Sequence, residues 1–317
     1  MKMIASANGL DAIVEVYERL LTRGASAVDA CVAAATLVED DADELTVGFG
    51  GLPNADGVVE LDAAVMDGHS RRGGSVAAMQ GIRHPTQVAR LVMERTRRVM
   101  LAGDGAKQFA LAHGFNEEEL STETSRRLWL LWRRVHDAAG NWVAPTPESP
   151  DYDLVLRHPA LFQRLPTGTV HIAALDSQGN LACATSTSGH AFKLPGRVGD
   201  SPIIGAGLYA NNAGGTCGSV GYGEANMEHL TSYAIVRSLR EGLLPQAAAT
   251  KEIGTLLSHL SPSHLSATGQ CEFDLRLFIL DRSGQCHAAC TRGNHKMAVV
   301  DAHGGRLEDC SVVASDR

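Results

Sequence analysis

The sequence predicts an α/β fold in which two sheets stack face to face and helices cover them. Three observations carry this. A hairpin near the middle of the chain pairs an alternating run at residues 169–175 with another at 181–187, across the turn Ser177-Gln178-Gly179-Asn180. Helical periodicity comes in pairs, at 8–23 with 26–39 and at 224–241 with 245–260. Strand-like runs follow each pair, from 45 to 79 after the first and from 272 to 300 after the second. Composition alone leaves a three-layer α/β arrangement open. With 44% apolar residues among 317, the chain can bury a sizeable core, and one large domain over 1–317 is expected.

Taken in order, Leu10, Ile13, Val14, Val16, Tyr17 and Leu20 form the apolar stripe of the first helix, which Gly24 stops. Ser26 with Asp29 three residues on reads as the cap of the second helix, whose Ala30, Ala33, Ala34 and Ala35 permit close packing on a sheet. Residues 45–49 read as a strand, 58–61 and 63–66 as strand pieces, and 75–79 as another, with Gly68 and Gly73-Gly74 as punctuation. Pro85 starts a helix over 86–96, 99–101 is a short strand, and Asp104 is the expected cap of the next helix. A long amphipathic helix is expected over 117–136. Residues 139–168 lose all periodicity among Pro145, Pro147, Pro150, Pro159 and Pro166, which predicts a long surface loop. After the central hairpin, the glycine-rich run 214–223 lets backbone approach a ligand closely but lacks the GK[ST] of a phosphate loop. A hairpin of 272–280 with 286–289 and a strand at 297–300 close the reading.

Charge and composition exclude several classes. A net charge of -8 argues against nucleic-acid binding, and Arg71-Arg72, Arg97-Arg98 and Arg133-Arg134 read as solvated faces. No apolar run approaches the roughly 18 residues that span a bilayer, and the start lacks a long apolar signal core, so a cytoplasmic protein without membrane partners is expected. The seven cysteines are scattered, and Cys286, His287 and Cys290 alternate like a strand, which predicts buried thiols rather than a metal site.

The chemistry concentrates at the open end of the central hairpin. Pairing places Thr169, at the start of one strand, beside Thr187, at the end of the other, hydroxyl near hydroxyl. A threonine hydroxyl is a poor nucleophile without a base. No Asp or His within the hairpin is an obvious base, but cleavage of the Gly168–Thr169 bond would free an α-amine of pKa about 7.7–8.0 to serve as one. Gly168 tolerates the unusual backbone that a strained peptide needs. An ordinary hairpin with strand-loving threonines remains the plain alternative.

The ordered series GTV…ALD…GN…A.TSTSG…GRVGDSPI.GAG.YA over 168–210, with Val47-Gly48-Phe49-Gly50-Gly51, Leu61-Asp62-Ala63 and Met66-Asp67-Gly68 upstream, resembles the glycosylasparaginase and isoaspartyl peptidase (plant-type asparaginase) family of N-terminal nucleophile hydrolases. The likeness covers most of 8–240. It implies a four-layer αββα sandwich, self-cleavage into an α-chain 1–168 ending in the linker 139–168 and a β-chain 169–317, and a dimer of αβ units. It also implies roles. Thr169 is the nucleophile, Thr187 holds its amine, with Thr185 and Ser186 as second choices, and Gly221 lends an N–H to the oxyanion. Arg197 clamps the substrate's α-carboxylate, Asp200 takes its α-ammonium, and Gly223 lies in the substrate-binding set. The expected substrate is a small amino-acid amide, an asparagine derivative cleaved through a β-aspartyl ester. No cofactor takes part, and the family leaves room for a structural sodium ion.

Three departures stand out. The family's Thr-x-Gly is Thr169-Val170-His171 here. Val220 occupies the place of a threonine before Gly221, and Thr216 and Ser219 are the open candidates for the lost hydroxyl. Gly168 is as in isoaspartyl peptidases, where glycosylasparaginases usually carry Asp, yet the GRVGDSPI block is nearer the glycosylasparaginases. Three readings follow: a glycosylasparaginase-type amidohydrolase, an isoaspartyl peptidase or L-asparaginase of the same family, and an uncleaved homologue that binds an amino-acid-like ligand without catalysis.

Overall fold

The computed structural model describes residues 1–134, 145–162, 168–266 and 271–313. The chain opens on β1 (Lys2–Ser6), then α1 (Leu10–Arg19) and α2 (Ala27–Asp40). A hairpin of β2 (Glu60–Asp67) and β3 (Arg72–Gln80) leads to α3 (Pro85–Arg95), β4 (Met100–Ala102), α4 (Gly103–Ala112), α5 (Glu123–Arg134) and α6 (Tyr152–Arg157). The central hairpin is β5 (Val170–Leu175) and β6 (Leu181–Thr187), followed by β7 (Leu208–Asn211) and β8 (Gly215–Gly221). Three helices follow, α7 (Gly223–His229), α8 (Thr231–Arg240) and α9 (Pro245–Ser258). Five strands close the chain, β9 (Leu275–Asp281), β10 (Cys286–Cys290), β11 (Lys296–Asp301), β12 (Gly304–Asp309) and β13 (Ser311–Val312).

The strands form an eight-stranded sheet, β12-β11-β1-β5-β6-β2-β3-β4, and a five-stranded sheet, β13-β10-β9-β8-β7. Only β3 with β4 and β10 with β13 run parallel among these pairs. Side-chain alternation along β5 and β6 explains the layering. Val170, Ile172, Ala174, Ala182 and Ala184 join the apolar residues of α1 to α4 on one face. Ala173, Leu175, Leu181 and Cys183 turn the other way, onto Phe278, Leu280, Leu208 and Val220 of the second sheet. Behind that sheet, Cys217, Leu275, Leu277 and Ile279 bury against α8 and α9. The result is helix, sheet, sheet, helix: the αββα sandwich and not the three-layer alternative.

Several local expectations need correction. Residues 45–49 are not a strand. Val47 N–H bonds Glu44 O, and Phe49 N–H bonds Glu39 O, so this stretch folds back on the end of α2. Gly73 and Gly74 lie inside β3 instead of ending it, because the Ile204 side chain and the α3 backbone at Ala89 and Met93 press where their Cβ atoms would be. The expected helix 224–241 breaks into α7 and α8 at Leu230, in a left-handed conformation at φ 52. Asp104 sits in the first turn of α4 and does not cap it. The proline-rich stretch carries α6 and a short 3-10 turn at Pro159–Phe162; residues 135–144 and 163–167 of the linker and helix expectations lie outside the described residues. Strand β1 was not anticipated, though it lies at the heart of the large sheet; it is buried on both faces and therefore shows no alternation.

Candidate active site

The open end of the β5–β6 hairpin is buried between the sheets. Register sets Val170 opposite Ser186 and His171 opposite Thr185, while Thr187 pairs with Asp62 of β2. Thr169, just before β5, and Thr185 and Thr187 of β6 therefore share the inter-sheet face. Thr169 is 7% exposed and Thr187 3%. The expected hydroxyl pair takes a different form. Thr187 Oγ1 donates to the carbonyl of Gly168 at 2.6 Å, and accepts from Gly189 N–H at 2.9 Å, which fixes its direction. The Thr169 hydroxyl instead lies 3.3 Å from the Ser201 hydroxyl. Thr185, a second choice in the sequence, is occupied by the Ser201 carbonyl at 2.7 Å. Ser186 points to the opposite face and donates to Glu39 at 2.7 Å.

Gly168 is held so tightly that a Cβ there would fall 1.9 Å from Thr46 Oγ1. Thr46 belongs to the turn that the sequence reading took for a strand, and its hydroxyl is bonded to Glu44, whose other oxygen accepts from Asn8 Nδ2 at 3.2 Å. Ser6 Oγ, at the end of β1, is 3.4 Å from Thr169 O and accepts from His171 N–H at 3.1 Å. A polar collar from β1, the 44–46 turn, β6 and the Ser201 loop thus surrounds the Gly168–Thr169 peptide.

The residues expected to bind the substrate's head group are placed as follows. Arg197 Nε donates to Glu224 Oε1 at 3.0 Å, and Nη2 reaches the same oxygen. Arg197 is therefore paired with Glu224, not with Asp200. Asp200 is buried and accepts from Ser219 Oγ and from Asn226 Nδ2 at 2.7 Å. Burial pushes its carboxyl above the ordinary range, against those hydrogen bonds and the nearby Arg197 charge. Its other oxygen lies where a Cβ on Gly223 would be, 2.6 Å away, so only glycine fits there. Gly221 ends β8 at φ 120, with the Asp274 carbonyl 2.2 Å from where its Cβ would be. Such a backbone requires glycine. His190 is lowered to about 4 by burial and by Arg197, so it is a neutral imidazole, and its buried Nε2 has no hydrogen-bond partner.

The structure places two of the sequence departures, His171 and Val220. His171 is fully buried, its pKa pushed down to about 3 by burial against an opposing backbone contact at Ala184, and its ring takes the space that a Cβ on Gly218 would fill, 2.0 Å from Nδ1. The glycine at 218 of β8 thus makes the room that the His171 ring on β5 occupies. Val220 faces the inter-sheet core. Neither candidate replaces its missing hydroxyl. Ser219 is committed to Asp200 on the other face, and Thr216 bonds Leu280 O at 3.4 Å four residues up the strand. Ser201 and Asn226 were the site residues that sequence reasoning missed, and Ser219, a candidate oxyanion donor in the sequence, serves Asp200 instead. Ser201 stood within the quoted GRVGDSPI block, directly after Asp200; Asn226 had no local signal.

A threonine at a strand start, facing between two stacked sheets with helices on both outer sides, defines a hydrolase of the N-terminal nucleophile class. The family model described as asparaginase covers residues 1–272, and the chain belongs to that family. It is 37% identical over 300 residues to an N(4)-(β-N-acetylglucosaminyl)-L-asparaginase from Elizabethkingia miricola, covering 95% of this chain and 81% of that relative. It is 39% identical over 248 residues to an isoaspartyl peptidase of Escherichia coli (strain K12), covering 77% and 72%. A probable isoaspartyl peptidase/L-asparaginase 3 from Arabidopsis thaliana is 33% identical over 261 residues, covering 75% and 73%.

Proposed function

We propose that the chain cuts itself between Gly168 and Thr169 and then hydrolyses the β-amide of asparagine derivatives, with a glycosylamine as the preferred leaving group. The observation that carries this is the grip on the Gly168 carbonyl: Thr187 Oγ1 holds it at 2.6 Å, next to the threonine that would attack it. In cleavage, Thr169 Oγ1 attacks the Gly168 carbonyl carbon and the C–N bond breaks, giving an ester and a free Thr169 amine. Water then hydrolyses the ester and releases Gly168 as a carboxylate. The Thr187 hydroxyl stabilises the oxyanion in the first step and faces the new amine afterwards.

In turnover, the Thr169 amine takes the hydroxyl proton, Oγ1 attacks the side-chain amide carbon of the substrate, and the protonated amine donates to the leaving nitrogen. Water, activated by the same amine, hydrolyses the β-aspartyl ester. Gly221 N–H is the oxyanion donor, unaided by a hydroxyl at Val220; one such donor is worth about 10²–10³ in rate. Asp200 receives the α-ammonium, whose charge would draw its raised pKa back down. Arg197 receives the α-carboxylate, which competes with Glu224 for the guanidinium.

The glycosylasparaginase assignment rests on the relative whose match spans 95% of this chain, whereas the isoaspartyl peptidase match spans 77%. Gly168 supports the second reading, isoaspartyl peptidase or L-asparaginase. The chain is treated as one domain over 1–317, divided by cleavage into 1–168 and 169–317, with αβ units pairing as a dimer. All seven cysteines are free thiols, which suits a reducing cytoplasm. Among the described residues no helix is long and apolar enough to cross a membrane. Those residues also hold no group of three or more His, Cys, Asp or Glu side chains placed for a metal. The family leaves room for a structural sodium ion, and no step above uses one. Purified protein incubated at neutral pH should resolve on a denaturing gel into 1–168 and 169–317, and should release aspartate from an N-glycosylated asparagine faster than from an isoaspartyl dipeptide. An intact band with no hydrolysis of either compound would leave the non-catalytic amino-acid-binding reading standing instead.

A further inference from the structure

Two arginine pairs that look like separate solvated faces in the sequence come together in the fold. Arg71-Arg72 enters β3, and Arg97-Arg98 enters β4, its parallel neighbour at the edge of the large sheet. With Arg95 from the last turn of α3 they line a surface depression of about 590 Å³ that also includes Gly73. We infer that this depression is a binding site for a compact polyvalent anion of the diphosphate type, separate from the active site.

Three features support it. First, the charge is concentrated and uncompensated. The one acidic side chain in the lining, Glu94, is held by Arg90 Nε at 2.7 Å. Among the described residues no carboxylate pairs with Arg71, Arg72, Arg95, Arg97 or Arg98, whereas Arg83, Arg90, Arg127, Arg197 and Arg306 each have one. This happens on a chain of net charge -8, where carboxylates outnumber cations and a cluster of free guanidiniums is costly by mutual repulsion. Second, part of the cluster is pre-set. Arg72 Nη2 donates to Thr96 O at 2.7 Å, and Arg71 is held in the left-handed region at φ 59, a conformation that a non-glycine residue rarely adopts. Third, the surface is concave and small. Guanidiniums lining such a depression match the forked, bidentate geometry of phosphate oxygens, which favours a small ligand over a flat membrane or a long polyanion.

The site is remote from the chemistry. Arg72 pairs with Asp67 at one end of β2, while Thr187 pairs with Asp62 five residues along, about 17 Å away at a strand's usual rise. Binding and catalysis can therefore be separated experimentally. Calorimetric titration of the whole protein with inorganic pyrophosphate in about 0.1 M salt should give a Kd tighter than roughly 100 μM. The doubles Arg71→Gln/Arg72→Gln and Arg97→Gln/Arg98→Gln, at exposed positions, should each weaken it at least about tenfold while leaving asparagine hydrolysis unchanged. A nucleoside diphosphate that binds as tightly as pyrophosphate also agrees, and shows that the diphosphate group is what is read. No heat up to several millimolar pyrophosphate, affinity that survives both doubles, or citrate binding as tightly as pyrophosphate would each overturn the assignment. Because hydrolysis is read on the same samples, failure here is distinguishable from failure of the hydrolase reading.

Discussion

The two faces of β6 at its last three residues bury two carboxyl groups in contrasting ways. On the helix side, Ser186 reaches Glu39, which also takes the N–H and hydroxyl of Thr86 at the start of α3. All of those donors come to one oxygen of Glu39; the other has no partner. On the inter-sheet side, Thr185 and Thr187 face the loop that carries Asp200, also fully buried. Ser219 and Asn226 satisfy one Asp200 oxygen, and the other packs against Gly223, where only a glycine leaves it room. Burial raises both carboxyls. The difference is access. Glu39 is sealed between two helices and a strand, so it can only hold them together. Asp200 is packed against the glycine at 223 and the Ser219 and Asn226 side chains, and in the proposed function it meets the substrate's α-ammonium. Alternation along β6 thus turns Ser186 toward one buried acid, Glu39, and Thr185 toward the loop that carries another, Asp200.

The strongest test attacks the inter-sheet face. Thr169→Ala should abolish both self-cleavage and hydrolysis, with a loss of at least about 10⁴ in rate by ammonia release. A cleaved or active variant would remove Thr169 from its role. Thr187→Ala keeps the nucleophile but drops the donor on the Gly168 carbonyl. Cleavage, followed as the appearance of fragment 169–317, should slow by about 10². Unchanged cleavage would show that the 2.6 Å contact is only structural.

Next in size is the binding acid. Asp200→Asn preserves shape and the Ser219 and Asn226 contacts but removes the charge that meets an ammonium. Losing one partner of a buried charge pair costs about 2–5 kcal/mol. The expected result is a rise in KM for asparagine of roughly 10² or more, with cleavage intact. A fall in kcat with KM unchanged would mean that Asp200 acts on the reacting atoms and does not hold the head group.

How much of this was legible in the sequence depended on whether a signal was local. The β5–β6 hairpin reads directly, because alternation and its four-residue turn lie within twenty residues, and that alone sets Thr169 by Thr187. The GRVGDSPI block likewise delivers Arg197 and Asp200. What was hidden arises from long-range contact. Glu44 and Thr46 reach Gly168 across more than a hundred residues, so the turn that carries them looked like an ordinary apolar strand. The pairing of Arg197 with Glu224 and the fit of the His171 ring against Gly218 require the second sheet to be in place. β1 failed for the opposite reason: burial on both sides erased the alternation by which strands are found.

The smallest effect belongs to the structural acid, and it separates the two carboxyls by pH. Burial raises Glu39 to about 7 from an ordinary value of 4.5. The folded state therefore favours the protonated form. Its contribution is fully present below pH 4.5 and is lost as pH rises through 7. Glu39→Gln is permanently neutral and keeps an oxygen to accept from Thr86 and Ser186. It should match the native protein near pH 4.5 and be the more stable of the two at pH 8, by about 1–3 kcal/mol at most, as read from denaturant midpoints. Activity at the inter-sheet face should be nearly unaffected, since Ser186 points away from Thr169. If the stability difference between the two proteins stays flat from pH 5 to 8, Glu39 is ionised in the fold, and the contrast with Asp200 must rest on access alone and not on charge.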